Sequence, residues 1–181
     1  SLRKEKTELK ADLEKHRRAD EHALDVAFVH ASPMFVQGKN KQMALLDFDR
    51  ERKGIKLAID ISKKCVKFLQ VLGTHENLRD VISQKPIILH ITCHGEYQED
   101  ESNKNGSMLI FEKEDGEGKE ILSEDLFLTK DSMKEFKLVF VASCRSDRIG
   151  DMFQKMGGVD HVICSEKKYL DDSRTCEFTK A

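Results

Sequence analysis

A histidine and a cysteine follow two short apolar runs, and together they could carry out nucleophilic catalysis. The first run lies within residues 86–96 and is followed by His94 and Gly95, and the second lies within residues 138–147 and is followed by Cys144. Cysteine attacks as its thiolate, and a nearby imidazole lowers the pKa of the thiol or accepts its proton. The two residues therefore predict a cysteine–histidine dyad, provided that the fold brings them together.

The two apolar runs have the pattern of buried strands in a parallel sheet, which gives a reason for the two residues to meet. Continuous apolar runs of this length are typical of strands covered on both faces. Ligands bind in the crevice beyond the carboxyl ends of such strands. If the two strands are neighbours, His94 and Cys144 face the same crevice.

The segments before and after these runs predict an α/β domain with a mostly parallel central sheet and flanking helices. Thr74 is the expected N-cap of a short helix, and Pro86 opens the next strand. Between the two principal strands, the sequence predicts a polar loop and then an inserted β-hairpin. The expected elements are a strand at 23–31, a long helix at 41–66, a strand at 66–72, a loop at 96–106, hairpin strands at 107–111 and 120–122, a helix at 147–156 ended by Gly157 and Gly158, and a strand at 159–164.

Several stretches, in the same order along the chain, resemble the caspase-like cysteine peptidases and especially their CHAT branch. His94 lies 50 residues before Cys144 (144 minus 94), and the caspase pattern also places its histidine about 50 residues before the cysteine. Residues 45–51 resemble the opening of the first helix of that branch. The other matching stretches are 25–33, 106–111 with 115–116, and 157–163.

The resemblance implies a caspase-like fold over residues 23–181 and a cysteine endopeptidase that hydrolyses peptide bonds through an acyl-enzyme. Cys144 would be the nucleophile, and His94 would protonate the leaving amine as general acid and base. The N–H groups of Gly95 and Cys144 would form the oxyanion hole, since a residue without Cβ allows close approach to the main chain. No cofactor is expected, and the partner would be a protein or peptide substrate. The acidic stretch 96–101 favours Lys or Arg before the cut, although exposed charges are screened within about 10 Å.

Other interpretations remain open at this stage. Cys144 can be a packed core thiol, and His94 can cap the strand by bonding a carbonyl group. A caspase-like domain without activity would serve as a protein-binding or scaffold module. Two features favour that alternative: Ser146 stands where caspases have glycine, and no third residue that would orient His94 can be identified. A flavodoxin-like domain would be favoured if the two strands were not adjacent.

The remaining histidines and cysteines do not predict a metal site. His90 is expected to be structural, and strand alternation directs Cys93 away from the face that carries His94. A zinc site is disfavoured because no Cys-x-x-Cys pair and no His-x-x-x-His pair on a helix is present. A phosphate-binding loop is disfavoured for a similar reason, since no glycine-rich turn joins a strand to a helix.

Composition predicts an intracellular globular domain. The chain has 181 residues, 39% of them hydrophobic, and a net charge of −2, which does not favour nucleic acid or an anionic membrane as a partner. No apolar run of about 18 residues and no secretory leader is visible. The five cysteines are an odd number without framework spacing, which favours reduced thiols. Residues 1–22 predict a charged helical segment or linker. The resemblance further implies a helical-repeat or regulatory region upstream and a domain that continues past Ala181.

Overall fold

The computed structural model describes residues 24–36, 39–98, 106–126 and 133–166. These residues form two sheets and three α-helices. The strands are β1 (Val26–His30), β2 (Phe35–Val36), β3 (Lys39–Gln42), β4 (Phe68–Leu72), β5 (Ile88–Thr92), β6 (His94–Gln98), β7 (Gly106–Glu112), β8 (Gly118–Leu122), β9 (Leu138–Ala142) and β10 (His161–Ile163). The helices are α1 (Phe48–Ser62), α2 (His75–Ser83) and α3 (Asp147–Lys155), with a 3-10 turn at Ser123–Leu126.

The central sheet has five parallel strands in the order β10-β9-β5-β1-β4. Strand β5 pairs with β9 from Ile88 opposite Leu138 to Thr92 opposite Ala142. The two strands that lead to His94 and Cys144 are therefore neighbours, and their carboxyl ends lie at the same edge of the sheet. This confirms the predicted parallel arrangement and removes the condition that favoured a flavodoxin-like domain.

Alternating residues of the central strands face two different layers. On one face the strands pack against α2 and α3 in the main core, which includes Leu89, Val139, Leu78 and Phe153. On the other face, Ile88 and Phe140 line a cavity together with Ile55 of α1, which covers this side of the sheet. Because both faces are covered, the strands are apolar along most of their length.

The second sheet has the order β3-β2-β8-β7-β6 and contains the inserted hairpin. Strand β7 pairs antiparallel with both β6 and β8, so the hairpin predicted between the principal strands is confirmed. One face of this hairpin contributes Leu109, Phe111 and Ile121 to the main core. The second sheet is thereby attached to the central sheet where β5 ends.

Two predicted boundaries are wrong. The helix expected from residue 41 begins only at Phe48, because residues 39–42 pair with β2 as a strand. The loop expected from residue 96 begins later, since β6 continues to Gln98. Main-chain pairing with β7 makes this polar stretch a strand. Such pairing does not depend on apolar side chains, so the hydrophobic pattern of the sequence does not reveal it. The predicted segment 1–22, the helix expected after residue 170 and the rest of the loop at 99–105 lie outside the described residues.

Other local predictions agree with the structure. The Thr74 hydroxyl accepts a hydrogen bond from the main-chain N–H of Asn77 at 3.0 Å, so it caps α2 as expected. Helix α3 ends at Lys155, just before the two glycines, and Gly158 has the left-handed φ of 75° that favours this residue. Among the described helices, none has the length and hydropathy needed to cross a membrane.

Candidate active site

The chain passes from the central sheet into the second sheet at Cys93. Strand β5 ends at Thr92 and β6 begins at His94. The N–H of Cys93 donates to the carbonyl of Ala142, the last residue of β9, at 3.3 Å. His94 therefore lies two residues beyond β5, and Cys144 lies two residues beyond β9.

The segments that carry these two residues are in direct contact through Gly95. A Cβ atom added at Gly95 would overlap the carbonyl oxygen of Cys144 and the hydroxyl oxygen of Ser143. From the sequence, the missing Cβ of Gly95 is expected to leave room for a substrate carbonyl. In the structure the room on that side of the glycine is taken by the main chain of Cys144, so glycine is required for packing between the two segments.

Cys144 is a half-buried cysteine outside any disulfide bond, and it lies in a tight turn between β9 and α3. The next residue, Arg145, has a φ of 48°, which is uncommon for a residue with a side chain. Such conformations cost about 1–3 kcal/mol and persist only where the surroundings impose them. The turn thus holds Cys144 at a defined place at the edge of the central sheet.

Ser146 stabilises this turn from within the protein. Its buried hydroxyl donates to the carbonyl of Ser143 at 2.9 Å and accepts from the N–H of Ser165 at 3.0 Å. The N–H of Ser146 also donates to the carbonyl of Ser165 at 2.7 Å. The serine that replaces the caspase glycine therefore ties the turn after Cys144 to the segment after β10. The replacement is visible in the sequence, but this role is not, because Ser165 lies 19 residues away.

The ring of His94 is oriented by a main-chain carbonyl. Its Nε2 atom lies 2.7 Å from the carbonyl oxygen of Ala44, in the loop between β3 and α1. A carbonyl oxygen can only accept a hydrogen bond, so Nε2 carries the hydrogen and Nδ1 of the neutral ring is a proton acceptor. No sequence pattern marks this orienting group, because almost any residue type can supply a main-chain carbonyl.

Cys93, adjacent to His94 in sequence, is a core residue. It belongs to the main core and is 2% exposed. Burial raises the pKa of its thiol to about 12, while the Ser143 hydroxyl and the main chain of Ile110 act weakly in the opposite direction. Cys93 is therefore a poor nucleophile at neutral pH.

We expect Cys93 to resist alkylation in the folded protein. A thiol with a pKa of about 12 is only about one part in 10⁴ thiolate at pH 8, and this fraction rises about tenfold per pH unit until the pKa is reached. Iodoacetamide treatment followed by peptide mass spectrometry should modify the exposed Cys65 and leave Cys93 unmodified until denaturant is added. Equal modification of the two thiols in the native protein would contradict this expectation.

His90 is buried and bonded to another buried side chain. Its Nε2 atom lies 2.7 Å from a carboxylate oxygen of Glu51, and both side chains are buried. Its predicted structural role fits this contact. Within the described ranges, no group of three His, Cys, Asp or Glu side chains is placed to hold a metal ion.

The architecture described above, with a parallel sheet covered on both faces, an antiparallel insertion, and His94 and Cys144 beyond adjacent strands, is that of a caspase-like α/β domain. The family model of the CHAT domain matches residues 3–162. The chain therefore belongs to the CHAT domain family, which is related to the caspase-like peptidases. None of the curated proteins compared with the chain matches it.

Proposed function

We propose that this chain is a cysteine endopeptidase that uses Cys144 as nucleophile and His94 as general acid and base. The observation that carries the proposal is the main-chain contact between Gly95 and Cys144 at the ends of adjacent strands. This contact brings a partly accessible thiol that is not in a disulfide bond and a histidine-bearing segment to one edge of the sheet. Protein or peptide is the proposed substrate, and an intracellular, reducing setting would keep the nucleophile a free thiol.

The proposed reaction has two stages. Nδ1 of His94 takes the proton of the Cys144 thiol, the thiolate attacks the carbonyl carbon of the scissile peptide bond, and the N–H groups of Gly95 and Cys144 stabilise the oxyanion that forms. His94 gives a proton to the leaving amine as the C–N bond breaks, which leaves an acyl-enzyme. Water then attacks the thioester, His94 accepts a proton from that water, and the thiolate leaves.

The bond from His94 to Ala44 supports the acid and base role of the ring. An imidazole that must give and accept protons in turn performs best when its tautomer and orientation are held by a second group. The Ala44 carbonyl accepts from Nε2, which leaves Nδ1 as the atom that exchanges protons with thiol, amine and water.

A protein-binding module without catalysis is the second candidate function. It is favoured by the same bond, because a histidine that merely fastens β6 to the loop before α1 would also make it. The two functions differ in the reactivity of Cys144, since only the first requires a thiol that reacts with electrophiles carried on peptides.

A set of peptide chloromethyl ketones that differ in the residue before the warhead tests the proposal. We expect at least one of them, with Lys and Arg members included, to modify Cys144 about 10²-fold or more faster than the exposed Cys65 and Cys164, because peptide binding orients the reacting atoms. Peptide mass spectrometry identifies the modified thiol. If every reagent modifies Cys144 no faster than Cys65, the proteolytic function is excluded and the binding function is favoured.

A further inference from the structure

A buried carboxylate fastens α1 to the central sheet at two points. Glu51 is 1% exposed and lies in the first turns of α1. One of its oxygens lies 2.7 Å from Nε2 of His90, and the other accepts from the Thr92 hydroxyl at 2.7 Å. His90 and Thr92 are both in β5, so a single side chain fixes the helix against this strand.

The energetics of burial make this attachment specific. A carboxylate removed from water is costly unless polar partners replace its hydration, and loss of one partner leaves the charge uncompensated. Apolar contacts between α1 and the sheet are non-directional, whereas two short hydrogen bonds to β5 define one position. Glu51 therefore specifies where α1 lies along β5.

Both partners of the His94–Ala44 bond are connected to Glu51 through short segments. Ala44 precedes Glu51 by seven residues (51 minus 44). Two hydrogen bonds hold the chain between them: the Asp47 carboxylate caps α1, and the Ser32 hydroxyl accepts from the N–H of Leu46. On the other side, His94 follows Thr92 by two residues. Movement of α1 along β5 would therefore displace the Ala44 carbonyl relative to the imidazole.

We propose that Glu51 is a positioning residue for the His94 imidazole, acting through the Ala44 carbonyl. It sets the place of that carbonyl and thereby holds the Nε2–H tautomer and the orientation of the ring. The catalytic consequence rests on the proposed peptidase function, while the effect on the tautomer does not. A glutamate suits position 51 because each of its two carboxylate oxygens accepts one hydrogen bond, from His90 and from Thr92. A glutamine side chain has the same shape, but only its oxygen accepts.

Histidine side-chain NMR tests the structural part of the proposal. In ¹⁵N-labelled wild type at mildly alkaline pH, we expect His94 to show the Nε2–H tautomer; the His94→Gln variant assigns its signals. In Glu51→Gln and in Thr92→Val, we expect a mixture of the two neutral tautomers of His94. Thr92→Val removes the hydroxyl donor to Glu51 with little change in side-chain volume. The Val81→Ala variant is the control, since Val81 is buried on α2 at the other face of the sheet. An unchanged His94 spectrum in both test variants would overturn the proposal.

Kinetics test the catalytic part. We expect Glu51→Gln to lower kcat about 10–100-fold, the range found when a group that orients a metal-binding imidazole is replaced, with KM little changed. The Val81→Ala variant should retain the kcat of wild type when each protein is assayed the same number of degrees below its own melting temperature. Equal loss of kcat in the two variants would assign Glu51 a purely structural role. If wild type cleaves no peptide but the tautomer still changes in Glu51→Gln, the peptidase function fails and the positioning role stands.

Discussion

The Cys144→Ala variant is expected to lose peptide hydrolysis by about 10⁶-fold in kcat. Losses of this size follow removal of a nucleophile that acts as a unit with its base, since neither residue functions without the other. Without the sulfur no acyl-enzyme can form, and His94 has no thiolate with which to cooperate. The measurement is turnover of a peptide substrate selected with the chloromethyl ketone set, supported by intact-mass detection of the acyl-enzyme in wild type alone.

A second cysteine offers a matched control. Cys164 is an exposed free thiol beyond β10, so Cys164→Ala removes the same atom from the same domain and should keep wild-type turnover. Both variants should retain the melting temperature of wild type within a few degrees. Equal turnover by Cys144→Ala and wild type would remove the nucleophile assignment.

Gly95→Ala is expected to reduce kcat/KM about 10²-fold or more, because the added methyl group has no space. Its Cβ would overlap the carbonyl oxygen of Cys144 and the hydroxyl oxygen of Ser143, so β6 and the turn after β9 must separate. Overpacking of this kind typically costs about 1–3 kcal/mol of stability. A displacement of about an ångström between reacting groups can cost about 10²-fold in rate. Thermal unfolding and kcat/KM measure the two effects.

Gly116→Ala separates this steric effect from a general cost of replacing glycine. Gly116 lies in the turn between β7 and β8 with a φ of +80° and no atom within 4 Å of an added Cβ. The left-handed conformation should cost about 1–2 kcal/mol, with kcat/KM unchanged. If Gly95→Ala keeps wild-type kcat/KM, the close contact between Gly95 and Cys144 has no catalytic importance.

The elements with strong local patterns were predictable from sequence. Strands β5 and β9 are continuous apolar runs, which is what burial on both faces of a parallel sheet requires. The Thr74 cap and the strands on either side of an Asp- and Gly-rich turn follow from side-chain chemistry within a few residues. The family resemblance rests on the order of such local stretches, and the match to residues 3–162 confirms it.

The elements that depend on distant partners were not predictable. Strand β3 and the polar part of β6 exist because of main-chain pairing with β2 and β7, and main-chain groups are nearly the same in every residue. The Ala44 carbonyl leaves no trace in the sequence for this reason. Ser146 was noted only as a departure from the caspase pattern, since its partner Ser165 is 19 residues away.

The sequence by itself determined which residue types are present at the ends of two apolar strands, and hence the chemistry that this domain can offer. The tertiary structure decided that those strands are adjacent, that Gly95 touches Cys144, that the Ala44 carbonyl meets His94 and that Glu51 meets His90. The physical reason is the range of the interactions. Hydrophobic period and capping act over a few residues, whereas strand adjacency, main-chain hydrogen bonds and buried side-chain hydrogen bonds join positions that only the folded chain brings together.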